Sequence, residues 1–289
     1  MTVHRGYSCL SFLTDYGTWD GFTAACHGQF LHHAPATRVI DITHEVPPGD
    51  IRRGAVVLAD TVSTLPPAVH VAVVDPGVGT HRRSIAVRAG GHILVGPDNG
   101  LLLWAAARLG GAVEARELTA QQYWRHPVSR TFHGRDIYAP VAAQLAVGLP
   151  LAEVGPELPV HSLVRLPEPR RSVSPRGEVP TANGEVRTVD RFGNVQLSLL
   201  DVDLHHLASV GDTLHLDSDG RADPRVWDTP LPVALPVATT FGDVADGELL
   251  ILVDSDGHVA IAANGGNAQA RLGLHPGEPV TLHQPPSPT

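Results

Sequence analysis

Val71-Ala72-Val73-Val74-Asp75-Pro76-Gly77-Val78-Gly79-Thr80-His81-Arg82-Arg83 is the stretch on which the reading of this chain turns. Its β-branched apolar run predicts a buried strand, and Asp75-Pro76-Gly77 with a second glycine predicts a sharp turn at the strand's carboxyl end. Open α/β sheets place ligands at such ends. Pro76 pushes Asp75 into an extended conformation, and Gly77 and Gly79 let other groups approach the backbone closely. Arg82 and Arg83 follow. Strand alternation sends them to opposite sides, so spacing alone leaves open which one faces the corner. A plainer reading is also available, in which Asp75 only caps a strand connection and both arginines are solvated.

The flanking sequence supplies the rest of an α/β unit. Ser8 to Leu13 reads as a strand running into Thr14-Asp15-Tyr16-Gly17, with Asp20 placed to cap a helix from Gly21 to about His33. Thr37 to Thr43 is a second strand, and Asp50 caps a helix from Ile51 to about Thr64. Right-handed crossovers would open Asp15 and Asp75 toward the same side of a parallel sheet. Downstream, Ser84 to Ala89 and His92 to Gly96 form a hairpin, followed by a helix over Leu101 to Leu109 and a strand over Val113 to Leu118. His133 precedes a helix running from about Ile137 to Val147, where the helix dipole disfavours imidazolium and keeps the ring neutral. The chain has 17 histidines, and His4, His32, His33, His205, His206 and His283 read as solvated.

Beyond a Pro-rich, charged linker the pattern changes to short strands separated by turn residues. The predicted organisation is an α/β domain with a mostly parallel sheet over residues 1–165, a linker over 166–176 and a small all-β barrel over 177–289. The β segments are Gly184 to Leu200 around Arg191-Phe192-Gly193-Asn194, then Gly211 to Asp217, Pro232 to Thr240, Glu248 to Val253 and His258 to Ala262. A Pro-rich tail runs from Pro285 to Thr289.

Composition narrows the chemistry. A length of 289 residues with 43% hydrophobic content supports a large core and two domains. A net charge of -9 without a basic cluster excludes nucleic acid as partner. All 21 basic residues are arginines, which excludes Schiff-base lysines, pyridoxal phosphate anchoring and the P-loop lysine. Cys9 and Cys26 read as buried apolar residues. With no apolar signal segment at the N-terminus and no run near the ~20 residues of a membrane span, a soluble cytoplasmic protein without membrane contact is expected. The lysine-free, Ala/Arg/Pro/Gly-rich usage points to a high-GC bacterial source.

Asp75, Arg82 and His133 form the candidate catalytic set. A carboxylate that orients His133 fixes its tautomer for accepting a proton, and an arginine favours a hydroxide-like oxygen over water. Metal-assisted hydrolysis is the rival. It is disfavoured by the lack of H-E-x-x-H, by the lack of a His/carboxylate pair on one helix face, and by an arginine beside the site.

The chain resembles the S-adenosylmethionine hydroxide adenosyltransferase family, relatives of the S-adenosylmethionine-dependent fluorinase and chlorinase. The matching segments are L-T-D-Y-G from Leu13, D-I-T-H-E-V-P-P from Asp41, V-V-D-P-G-V-G-T-H-R-R-S-I-A-V from Val73, V-G-P-D-N-G-L-L from Val95, T-F-H-G-R-D-I-Y-A-P from Thr131, D-R-F-G-N from Asp190 and A-A-N-G-G-N-A from Ala262. Together they cover nearly the whole chain. The resemblance implies hydrolysis of S-adenosylmethionine to adenosine and L-methionine, with no cofactor and no metal. It further implies a homotrimer whose sites lie between one subunit's α/β domain and a neighbour's β domain. It assigns catalysis to Asp75, Arg82 and His133, with Phe132 and Gly134 flanking as substrate contacts. It assigns ribose binding to Asp15, the methionine end to Asp20, Asp190 and Ser255, and adenine to Asn194, Phe241 and Asn264, with Phe241 stacking. The fluorinase differs by tyrosines at the positions of Asp75 and His133 and a serine at that of Gly134. It also has a serine where Phe22 stands and a tryptophan where Gln196 stands. A halide adenosyltransferase and a non-catalytic nucleoside-binding protein are the alternatives.

Overall fold

The computed structural model describes residues 6–174, 180–218, 229 and 231–285. His4, linker residues 175–176 and the Pro-rich tail beyond Pro285 lie outside the described residues. The chain divides into two compact units, Met1–Leu166 and Pro167–Thr289.

The first unit is built on seven strands: β1 (Cys9–Thr14), β2 (Arg38–Thr43), β3 (Val69–Val73), β4 (Ser84–Ala89), β5 (His92–Pro97), β6 (Ala112–Glu117) and β7 (Glu157–Leu158). They lie in the order β2-β1-β3-β5-β4-β6-β7. The β1–β2, β1–β3 and β3–β5 pairs are parallel. The β4–β5, β4–β6 and β6–β7 pairs are antiparallel, because a hairpin rather than a helix crossover joins β4 to β5. The parallel character expected from the sequence therefore holds for the half of the sheet that carries β1 and β3.

Alternation along these strands separates two cores. Leu10, Phe12, Val69, Val71 and Val73 face α1 (Phe22–His33) and the helix over Ala139–Ala146, whereas Leu13, Ala72, Val74 and Leu94 face α2 (Ile51–Val62) and α3 (Leu103–Arg108). We number the Ala139–Ala146 helix α4. Asp50 caps α2 as expected, its carboxylate accepting from the Arg53 amide at 2.8 Å. The α1 cap differs: Gly21 occupies the cap position without a side-chain bond, and Asp20 is exposed. Cys9 and Cys26 are free and buried, and burial pushes the Cys26 thiol up to about 12. Inside the sheet, His70 bonds Ser11 Oγ at 2.6 Å and His92 Nδ1 at 2.9 Å; burial, then the neighbouring His92, pull its pKa down to about 3. The ring is a neutral, satisfied core group.

The second unit has β8 (Ser172–Ser174), β9 (Thr181–Val189), β10 (Val195–Leu200), β11 (Thr213–Asp217), β12 (Val233–Pro236), β13 (Leu249–Val253), β14 (His258–Ala263) and β15 (Pro279–His283). The order β12-β11-β15-β9-β10-β14-β13 is antiparallel throughout, and a bridge from Val237 to Ile251 nearly closes it into a barrel. β8, inside the stretch expected as linker, pairs with β9. Short helices α5 (Asp201–Leu207) and α6 (Ala268–Leu272) pack on the barrel core through Leu204, Leu207, Ala268 and Leu272. Among the described residues, no helix is long and apolar enough to cross a membrane.

Leu145, 1% exposed on α4, sits in the core beneath β1 and β3. Leu145→Ala is expected to lower unfolding free energy by about 2–5 kcal/mol, measured as a shifted urea midpoint at unchanged m-value.

Candidate functional site

Parallel pairing of β1 with β3 sets Thr14 opposite Val73, so the two acidic corners emerge side by side. The Asp15 amide donates to the Val73 carbonyl at 3.4 Å, and one Asp15 carboxylate oxygen accepts from the Gly49 amide at 2.9 Å. Burial raises the Asp15 pKa, the Gly49 bond opposes that, and the nearby Asp75 charge adds to the rise.

Arg82, not Arg83, faces the corner. Its Nε donates to Asp75 Oδ1 and Oδ2 at 2.8 and 3.0 Å, and its Nη2 to Oδ2 at 2.5 Å. The same Nη2 donates to His133 Nδ1 at 2.8 Å, and Nη1 to Ser84 Oγ at 3.0 Å. Both charged side chains are nearly enclosed, with Arg82 11% and Asp75 5% exposed. The Tyr138 ring lies beneath the guanidinium at 5.7 Å, and its hydroxyl is 3.2 Å from Ser84 Oγ. Burial would lower the Arg82 pKa, but the hydrogen bonds it donates to Asp75 and the charges of Tyr138, Asp75 and Tyr16 together outweigh it and the pKa is raised. Arg83 turns away to Asp98 at 2.8 Å and to the Ser162 carbonyl at 2.6 Å.

This order corrects the expected wiring. The carboxylate orients the arginine, and the arginine orients the imidazole. Because an arginine can only donate, His133 Nδ1 is an acceptor, which assigns the neutral ring's proton to Nε2. Burial first, and then the Arg82 charge, lower the His133 pKa.

The loop that delivers His133 is fixed by Asp136, a residue with no assigned role in the sequence reading. Its fully buried carboxylate accepts from Arg125 Nη1 at 3.0 Å, Arg135 Nε at 2.7 Å, Arg135 Nη2 at 2.8 Å and the Ser129 amide at 2.8 Å. Burial alone would raise its pKa, but the Arg135 and Ser129 bonds hold it low. His133 then starts a π-helical turn, Gly134–Tyr138, that continues into α4. Such turns recur at functional sites because they re-aim side chains within a helix.

Tyr16 is the second residue that motif reading missed. A Cβ at Gly134 would lie 2.1 Å from the Tyr16 hydroxyl, so glycine is needed for the two segments to meet. Tyr16, Phe22 and Phe132 form an aromatic cluster with centroid separations of 6.1, 5.6 and 5.3 Å, and Arg135 stacks over Phe132 at 4.8 Å. Phe22 thus contributes an aromatic face beside Phe132 and Tyr16.

The second unit's candidates differ in how committed they are. Asp190 Oδ1 accepts from the Phe192 and Asn194 amides at 2.8 and 2.9 Å, and Oδ2 from Asn194 Nδ2 at 2.7 Å, so the pair shapes the β9–β10 turn. Asn264 Nδ2 donates to the Val244 carbonyl at 2.9 Å. Gln196 Nε2 donates to Asp254 Oδ2 at 2.6 Å, tying β10 to the turn that holds the exposed Ser255. Phe241 is 42% exposed rather than part of the barrel core, which leaves its face available for stacking.

Comparison with known proteins agrees across both units. Residues 10–155 match the family model described as SAM hydroxide adenosyltransferase N-terminal domain, and residues 184–281 match the corresponding C-terminal domain. The chain is 55% identical over 276 residues to a protein of Salinispora tropica named (R)-S-adenosyl-L-methionine hydrolase, covering 93% of this chain and 95% of that one. It is 29% identical over 299 residues to a fluorinase of Actinopolyspora mzabensis, covering 94% and 96%. The crystal structure of an uncharacterized conserved protein from Thermotoga maritima superposes with a TM-score of 0.85 at 35% identity, covering 94% of this chain and 99% of that one.

The Gly134–Tyr16 contact is testable as a cycle. Gly134→Ala is expected to destabilise by about 1–3 kcal/mol in urea unfolding, and Tyr16→Phe to relieve part of that loss. Additive effects of the two substitutions would show that Tyr16 gives way freely.

Proposed function

Because the chain belongs to the SAM hydroxide adenosyltransferase family, we propose that it hydrolyses S-adenosyl-L-methionine to adenosine and L-methionine. The observation that carries the reading is the Asp75–Arg82–His133 chain, hydrogen-bonded at 2.5 to 3.0 Å and largely closed to solvent. A sulfonium leaves as a neutral thioether and needs no general acid. The enzyme's task is to position a water and favour its deprotonated form.

In the proposed reaction the water oxygen attacks C5′ in line with the C5′–S bond. That bond's electron pair passes to sulfur, giving methionine, and the water's second proton goes to solvent after transfer through the site. Arg82 supplies the fixed positive charge that stabilises the developing hydroxide. Asp75 holds Arg82 and is the proton acceptor, since a carboxylate offers about four lone-pair sites and Arg82 takes three here. Neutral His133, whose Nδ1 is taken by Arg82, acts as a positioning donor through Nε2–H. Asp15 binds the ribose hydroxyls, and the Phe22–Phe132 faces line the sulfonium. Asp20, Asp190 and Ser255 serve the methionine end. Asn194, Phe241 and Asn264 serve the adenine. The assembly is a homotrimer, and Trp19, 99% exposed between Asp15 and Asp20, is surface of the kind a neighbouring subunit covers. The name of the Salinispora tropica relative supports extending the substrate to the (R) sulfonium epimer. Epimers share C5′ and differ in where the methyl and aminocarboxypropyl arms point, so water activation is indifferent to them. Gly134 supports water over halide, because a serine there would meet the Tyr16 hydroxyl.

Incubation in ¹⁸O water is expected to label the 5′-hydroxyl of adenosine, read by mass spectrometry. Absence of adenosine would support a non-catalytic binder, and 5′-chloroadenosine formed with chloride would support the halide reaction. Asp75→Ala, Arg82→Ala and His133→Ala should each lower kcat at least tenfold while adenosine still binds. In the wild type, kcat should fall only below the ordinary imidazole pKa of 6.5, because protonating His133 sets imidazolium against Arg82. His133→Ala should remove that acid limb, and a limb that persists would assign it to another group.

A further inference from the structure

At the edge of the first unit's sheet, three side chains without a part in the proposed reaction converge. His27 lies on α1, Asp41 on the edge strand β2, and His44 just past the end of β2. His27 Nε2 is 3.0 Å and His44 Nε2 3.1 Å from the same oxygen, Asp41 Oδ1. The three donor atoms all lie within 4.8 Å of one another. Tetrahedral ligands at the 2.0–2.1 Å of zinc–nitrogen and zinc–oxygen bonds stand about 3.3 Å apart, so small adjustments admit an ion.

A second observation points the same way. The His44 side chain is only 6% exposed, yet its Nε2 has no hydrogen-bond partner: Asp41 Oδ1 is near but off the axis along which a ring N–H donates. Its other nitrogen, Nδ1, lies 2.9 Å from Thr14 Oγ1. In the tautomer whose Nδ1–H donates to that hydroxyl, Nε2 presents its lone pair toward the Asp41 carboxylate oxygen 3.1 Å away, and a cation held by both would satisfy them. A ring fixed through one nitrogen and ligating through the other is how metal-binding histidines are held. Phe12 packs edge-on against both imidazoles, at 5.9 Å from His27 and 4.9 Å from His44. Asp41 and His27 are 44% and 28% exposed, which leaves the outer side of the cluster open to water.

We propose that His27 Nε2, Asp41 Oδ1 and His44 Nε2 form a binding site for a divalent metal of the zinc class, with water as the fourth ligand. Two imidazoles and one carboxylate suit Zn²⁺, whereas Mg²⁺ and Ca²⁺ prefer all-oxygen sets. The site lies against the turn that carries Asp15. The Gly17 amide donates to the His44 carbonyl at 2.7 Å, and the Tyr16 amide to Thr14 Oγ1 at 3.2 Å. An ion here cross-links α1 to the end of β2 and braces that turn from outside the reaction centre.

The test is calorimetric titration of the full chain, stripped with chelator, with Zn²⁺ at pH 7.5. One ion per chain is expected, with binding weakened at least tenfold by His27→Ala and by Asp41→Asn, and with magnesium ineffective. His27 is partly exposed, so its alanine variant should keep the wild-type circular dichroism and report on the site rather than on folding. A His32→Ala/His33→Ala variant, removing the adjacent histidine pair, should bind as wild type. Absence of Zn²⁺ binding, binding unchanged in His27→Ala, or binding abolished by the His32/His33 change would overturn the proposal.

Discussion

The Arg82 guanidinium is the interaction on which the first unit's site depends. Its donors meet both Asp75 oxygens, His133 Nδ1 and Ser84 Oγ, so one side chain joins the β3 corner, the start of β4 and the helix that follows His133. A charge this enclosed is tolerated only when paired, because desolvation costs several kcal/mol per ion. The pairing is shared unequally. Three bonds to Asp75 neutralise the cation, and the single bond to His133 uses that fixed position to set a tautomer. Removing Asp75 therefore does more than delete a carboxylate, since it also frees the group that aims His133.

Positioning of this kind requires that the three segments be held independently. The β3 corner is held by parallel pairing with β1, and Asn99 Nδ2 donates to the Val74 carbonyl at 2.8 Å just before Asp75. The His133 loop is held by Asp136, whose two arginines and one amide close residues 125–136 into a compact lobe. The Asp15 turn is held by Gly49 and by the carbonyl of His44. Contact between the lobe and the turn occurs at Gly134 and Tyr16, where there is no room for another carbon. The site is thus three braced corners pressed together, and its precision comes from the bracing rather than from the three reacting residues.

The contrast between what was legible in sequence and what was not follows from this. Strand periodicity and Asp-Pro-Gly turn chemistry identify β1, β3 and their acidic ends because those signals are local. The antiparallel β4–β6–β7 half of the sheet depends on which distant strands pair, and local pattern does not encode it. Asp75, Arg82 and His133 stood out by residue type, but their wiring did not. A carboxylate–imidazole pair and a carboxylate–arginine–imidazole chain need the same residues and differ only in side-chain reach. Asp136 was legible only as one more charge in G-R-D, since its three donors come from positions one, seven and eleven residues away. Tyr16 was hidden behind Asp15, and the His27–Asp41–His44 cluster behind a search for ligand pairs on one helix.

The wiring also decides what chemistry the corner supports. An imidazole beside a free carboxylate gains basicity and serves as a proton acceptor. An imidazole that accepts from a guanidinium loses basicity, and burial lowers it further. The corner is therefore poor at removing protons from weak acids and good at stabilising negative charge on an oxygen held against Arg82. That profile suits a reaction in which the leaving group departs unaided and the nucleophile needs only partial deprotonation as it advances. It suits acyl or phosphoryl transfer poorly, because those leaving groups need a proton. No protonated donor strong enough to supply one is found beside Arg82 among the described residues: Ser84 offers an alcohol hydroxyl, and the phenols of Tyr138 and Tyr16 both have pKa values raised by burial. A sulfonium at carbon is a substrate class that asks for no such proton.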